Sequence, residues 1–156
     1  MSRRRSAAKN SRPAGAPSAA TLLFRRLAAG FYDLLLLAGL LMLVGFAVIV
    51  ARQGEAVRPG TLWFQALLLA VTILFYAGFW SRGGQTLGMR SWRLQVVDER
   101  GLPPRFRVCL LRFVAALLSL APFGLGLWWM LWDPQRRSWH DRLTHTRVVL
   151  LPKTRT

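Results

Sequence analysis

A chain of 156 residues that is 53% hydrophobic yet carries a net charge of +16 is long enough for one ordinary domain and too short for two. A soluble core of this length needs no long unbroken apolar runs. A nucleic-acid-binding domain would spread its apolar residues along amphipathic elements instead of gathering them in blocks. Apolar blocks joined by basic segments are the pattern of a multi-pass membrane protein. The single cysteine, Cys109, excludes an internal disulfide and a Cys-rich metal site, and reads as a small packing residue.

Residues 1–20, MSRRRSAAKNSRPAGAPSAA, are basic, small and polar, with nothing to bury, and are expected to form a disordered tail. A secretory or twin-arginine signal fits poorly, because the apolar run that follows exceeds 20 residues and is too long for a signal's apolar core. That run is expected to be an uncleaved first span over about 27–51, with Asp33 inside it. RQGEAVRPG (52–60) is a polar turn, and TLWFQALLLAVTILFYAGFW (61–80) is the second span. Its Trp63 and Trp80 lie about 25 Å apart along a helix, which suits aromatic belts at opposite interfaces.

The polar segment 81–107 contains SWRLQVVD (91–98), whose alternation predicts a strand. A turn at DERG and the extended pair Pro103-Pro104 follow. HTRVVLL (145–151) is the other β-branched run. A lone strand is unstable, so the two are expected to pair in a small sheet at the membrane surface.

The third apolar region, about 108–132, is interrupted by Pro122, Gly124 and Gly126 and contains Arg112. Proline inside a helix costs about 3 kcal/mol and glycine about 1 relative to alanine. Charge arbitrates between one kinked span and a hairpin. Seven Lys/Arg precede or open the first span, two lie in 52–60, six in 81–107 and six in 133–156. Short basic segments stay cytoplasmic, which places the N-terminus and 81–107 inside and 52–60 outside. A single third span would export the basic C-terminus, whereas a break at APFGLG (121–126) returns it and keeps both strands on one side. The expected fold is therefore an all-α integral membrane protein of the bacterial inner-membrane type. It has two transmembrane helices, a third apolar region folded as a broken helical hairpin, and a small cytoplasmic β-pair. The membrane domain covers 21–151 with a C-terminal tail at 152–156, and both termini are cytoplasmic.

Asp33 is the one acid inside an apolar span. Insertion scales charge about 2.5–3.5 kcal/mol for it, against about 0.3–0.6 returned by each large apolar residue. It is tolerated, then, but an intramembrane acid finds a partner. A donor from another segment is expected, Arg112 first and Arg90 or Arg26 behind it. Ala29 and Gly30 leave room for that segment to approach. GGQTLGMR (83–90) has the glycine spacing of a phosphate loop but lacks its Lys-Ser/Thr pair, and reads as a tight turn. His140 and His145, the two histidines, sit five apart on different helical faces and complete no metal site. Asp141 beside His140 belongs to no nucleophile motif and reads as an anchor for arginine or backbone donors. The basic N-terminal segment has no interleaved aromatics for base stacking. It suits anionic lipid headgroups, at about 1 kcal/mol per basic residue, rather than nucleic acid. No catalytic role, metal or cofactor is expected.

Three pieces in order, RRLAAGFYD opening the first span, GGQTLGMRSWRLQVVDERG after the second and SWHDRLTHTRVV near the end, resemble the RDD family of small integral membrane proteins. That family is named for an arginine and two aspartates. The resemblance covers residues 22–150. It implies that the arginine is Arg26, with Arg25 beside it as the alternative, that the first aspartate is Asp33, and that the second is Asp141, with Asp98 as the alternative. It also implies transport of some ligand. One function reading is thus a component assisting passage of an ion or small solute; the other is a non-catalytic scaffold or assembly subunit. A complete carrier would be short and shows no obvious inverted repeat, which points to a homo-oligomer or an unidentified membrane partner.

Overall fold

The computed structural model describes residues 18–120, 128–133 and 137–152. The expected N-terminal tail up to residue 17, the expected break at 121–126 and the last four residues lie outside the described residues. Helix α1 (Ala19–Ala51) opens where the Ser18 hydroxyl accepts the Thr21 amide at 3.1 Å, well before the apolar run begins. Its buried residues Leu22, Leu23, Ala29, Asp33 and Leu37 form one stripe at helical spacing that ends at Leu37. Helix α2 (Leu62–Gly83) ends at Gly84, whose φ of +67° a side chain would disfavour. A Cβ there would also lie 2.3 Å from the Val96 carbonyl oxygen, so only glycine lets the strand pass.

Both helices are long and apolar enough to cross a membrane, with mean hydropathies of 2.9 and 1.9 over their best windows. Only 0% and 17% of those windows are buried by the rest of the chain. Phe31, Leu34, Leu35, Met42 and Phe46 of α1 point outward. Apolar surface this continuous is untenable in water, and the helices are unlike the core helices of a soluble domain.

The polar end is built from short elements. After Gly84 comes a five-residue helix, α3 (Leu87–Ser91), capped by Thr86, in the stretch expected to be only a tight turn. Arg93 then adopts a left-handed conformation with φ +56°. Strand β1 therefore begins at Leu94 and ends at Val97, shorter than the 91–98 expected. Helix α4 (Phe106–Leu120) follows, then a 3-10 turn (Trp129–Leu131), a second five-residue helix α5 (Trp139–Leu143) and strand β2 (Arg147–Leu150). The two strands pair antiparallel, from Leu94↔Leu150 to Val97↔Arg147. The free edge of β1 is covered by the preceding loop, with Val96 donating to the Gly84 carbonyl and Gln85 to the Leu94 carbonyl, both at 2.7 Å. Leu94 and Val96 join Leu22, Leu23, Ala29, Trp80, Met89, Cys109 and Phe113 in one core.

α2–α3–β1 and α4–α5–β2 end in the same device. Thr86 and Ser138 stand at the N-caps of five-residue helices, and Arg93 and His145 are the left-handed residues that close them. Thr86 to Val96 spans the same number of residues as Ser138 to Val148, and Val96 pairs directly with Val148. An approximate two-fold axis therefore passes through that pair, and α1 lies against both copies of the device.

Paired strand residues lie about 4.5–5.5 Å apart at Cα, within the range a disulfide spans. In a Cys109→Ala background, Val96→Cys with Val148→Cys should crosslink on mild oxidation, while Val96→Cys with Leu150→Cys should not. Equal crosslinking of both pairs, read by gel mobility, would remove the register.

Candidate functional site

Asp141 is fully buried in α5 and sits between two arginines. Arg26 of α1 donates through Nη1 to Asp141 Oδ2 at 2.7 Å and to the Ser138 hydroxyl at 3.2 Å. Arg112 of α4 faces Asp141 Oδ1 with Nη2 at 2.6 Å, and its Nη1 donates to the Thr146 hydroxyl. The Trp80 ring of α2 lies 5.4 Å from the guanidinium carbon of Arg112, a cation–π contact. Local structure aims each group. Asp141 sits three residues past Ser138, so its carboxylate also accepts the Ser138 amide at 3.2 Å and satisfies a free donor at the helix start. At the other end of α5, His145 in a left-handed conformation lets Thr146 N–H reach the Asp141 carbonyl and His145 N–H the Arg142 carbonyl. This pattern satisfies the terminal carbonyls and turns the Thr146 hydroxyl toward Arg112.

The electrostatics follow from this geometry. Burial pushes the Asp141 carboxyl up, but the adjacent Arg26 and Arg112 outweigh it and hold the group well below the usual carboxylate range. His140 accepts from or donates to the Ser138 hydroxyl at 2.9 Å. Burial lowers it to about 4, Asp141 opposes that, and the two arginines reinforce it. The imidazole is therefore neutral at pH 7, leaving two guanidiniums against one carboxylate.

Asp33 makes a different contact from the one expected. Its carboxylate accepts the Thr86 hydroxyl and, at 2.9 Å, the Gly88 amide. Among the described residues no arginine reaches it. Arg26 and Arg112 are committed to Asp141, and Arg90 is exposed beside Gly83. The reason is a vacancy at the start of α3. Where α5 has Asp141 to accept the Ser138 amide, α3 has Met89, and the α1 carboxylate accepts a first-turn amide, that of Gly88, from outside the helix. The contact requires Gly88, because a Cβ there would lie 2.2 Å from the Ala29 carbonyl oxygen. Ala29 is indeed buried at this crossing, but Gly30 faces open space and takes no part in it.

The remaining sequence candidates are peripheral. Arg25 donates to the Trp92 carbonyl at 3.4 Å. Asp98 holds the DERG turn by accepting the Arg100 and Leu102 amides, both at 2.9 Å. Sequence reasoning missed Thr86, Gly88, Ser138, Thr146 and Asp133, the last of which accepts Arg142 at 2.6 Å and the Arg137 amide at 2.8 Å. The Ser-x-x-Asp spacing of Ser138 and Asp141 is a helix-start signal that would have found one of them. Among the described residues no cluster of three or more His, Cys, Asp or Glu could hold a metal ion.

An α-helical membrane protein with a buried arginine–aspartate–arginine lock at one end, and a second aspartate fastening α3 to the first helix, is the class these features define. Residues 20–145 match the RDD family, and the chain belongs to it. It is similar to an uncharacterized protein of Rickettsia prowazekii (strain Madrid E), 28% identical over 90 residues, 55% of this chain and 50% of the relative. The chain thus spans half the length of that curated relative. No solved structure matches.

Removing one partner of a buried charge cluster costs about 3–5 kcal/mol. Asp141→Asn, which leaves both guanidiniums without an anion, should lower the unfolding midpoint in detergent accordingly; an unchanged midpoint would deny the lock its role. Gly88→Ala should destabilise by about 1–3 kcal/mol through overpacking, while Gly30→Ala, with open space at its Cβ, should not.

Proposed function

We propose that the chain is a multi-pass inner-membrane subunit that assists passage of an ion or small solute. The observation supporting this is Asp33. It is buried, lies in the apolar stretch of α1, and is held by a hydroxyl and an amide instead of a cation. It can take up a proton or meet a cation without breaking an ion pair, whereas Asp141 cannot. One acid in a short chain does not make a pathway. The outward-facing apolar length of α1 supports assembly with further copies or another membrane protein. That same surface favours the second reading, a non-catalytic scaffold or assembly subunit. In it, Asp33 only fastens α3 to α1.

Asp33→Asn separates the two. The transport reading expects normal accumulation of folded protein and loss of pH-dependent flux in reconstituted vesicles. The scaffold reading expects reduced accumulation, because one oxygen acceptor becomes an amide donor facing the Thr86 and Gly88 donors, and no wild-type flux to lose. A variant normal in both accumulation and flux removes both readings.

The topology in this proposal has the 52–60 turn outside and both termini cytoplasmic, with the third apolar region turning back as a hairpin. The β1–β2 pairing supports it, since the chain segments before α4 and after α5 meet in one sheet. The basic end then faces anionic headgroups. Reporter fusions after Thr156 should be active only with a cytoplasmic reporter; a periplasmic signal would replace the hairpin with one kinked span.

A further inference from the structure

The lock has more positive charge than its own acid neutralises. Two buried guanidiniums share Asp141, and Arg112 is 3% exposed. Among the described residues, Nε of Arg26 and Nε of Arg112 are buried donors with no hydrogen-bond partner, and Nδ1 of His140 and Oδ1 of Asp141 are unpartnered beside them, although that oxygen lies 2.6 Å from Arg112 Nη2. Buried donors are nearly always satisfied, and a buried charge in excess is costlier still. Two orphaned guanidinium donors in one cluster with an uncompensated positive charge describe the environment of an absent acceptor that is itself negative. Asp33 does not fill this role, being engaged by Thr86 and Gly88. Guanidinium N–H groups match oxyanions in both geometry and charge.

The height of the cluster fits as well. Helix α1 has 33 residues, about 50 Å at 1.5 Å each, against an acyl core of about 30 Å. The overshoot of about 20 Å is the segment that carries Arg26, and the tilted rings of Trp129 and Trp139 lie 6.1 Å apart at this end of the protein, residues of the kind enriched at the headgroup level.

We infer that the Arg26–Arg112–His140 cluster is a binding site for a phosphate-type oxyanion, which completes the neutralisation that Asp141 begins. Phosphate chemistry could come from free inorganic phosphate or from a lipid headgroup, and the site is independent of whether Asp33 handles a cation.

The test is thermal unfolding of the full chain, purified in detergent and delipidated, at pH 7.5 and constant ionic strength. Inorganic phosphate replacing gluconate should raise Tm saturably, by about 5 °C at a hundredfold excess over Kd. A rise with short-chain phosphatidylglycerol but not with inorganic phosphate assigns the anion to a lipid headgroup; a rise with phosphate alone assigns it to the free ion. His140→Glu, which supplies a fixed carboxylate inside the cluster, should abolish the response. Arg107→Gln, at an exposed position, should keep it. Absence of a saturable rise with either probe in the wild-type chain overturns the inference, whether or not His140→Glu folds. So does an equal loss of response in Arg107→Gln, which would make the effect one of surface charge.

Discussion

The carboxylate of Asp141 is the point on which the polar end depends. It meets a helix start, an arginine from α1 and an arginine from α4, so three segments far apart in sequence are positioned by one group. Such a cluster is poor evidence for stability in itself, because desolvating three charges costs about as much as their attraction returns. Its value is in uniqueness. Apolar helices in lipid slide and rotate against one another with little penalty, since lipid tails solvate them as well as other helices do. A buried acid that needs two particular arginines permits one arrangement of α1, α4 and α5, and misregistered packings leave charges bare.

The second aspartate works on the same principle with weaker means. α3 and α5 are equivalent one-turn helices, each leaving amides unpaired at its start. One is satisfied from within, by Asp141, and the other from α1, by Asp33. Arg26 and Asp33 are seven residues apart on one helical face, about 10 Å along the axis. α1 therefore touches both copies of the device, giving a cation to one and an anion to the other. The near-symmetry of the β-pair and the asymmetry of these contacts explain each other: a single helix cannot present the same residue to both halves.

Much of this was readable. The two apolar helices and the pairing of the β-branched runs follow from hydropathy and from alternation, and the motifs in order point to the family, whose arginine and two aspartates come only as what that resemblance implies. The partner of Asp33 did not follow, because charge complementarity pointed to an arginine, and a sequence does not show that every arginine within reach is already committed. The glycine at 88 looked like punctuation in a turn; its role, close approach of one backbone to another, appears only when α1 is laid beside it. The short helices escaped for a related reason. Five residues carry too little periodicity to register, and each is ended by a non-glycine residue in a left-handed conformation, Arg93 or His145, where the usual signal is glycine.

Helix length decides where these polar contacts sit relative to the bilayer. An acyl core of about 30 Å takes about 20 residues. Counted back from Ala51 at the end of α1, the other boundary falls near Tyr32; counted forward from Leu62 at the start of α2, it falls near Ser81. Asp33 and Trp80 then each fall one residue inside their counted boundaries, and Arg112 lies over the Trp80 ring. Arg26 falls outside the boundary, Asp33 at it. The penalty for an acid at a helix centre, about 2.5–3.5 kcal/mol, therefore overstates the cost of Asp33. By this count Arg26 and the acid it meets lie at the end of the apolar length of α1, where neighbouring segments bury them.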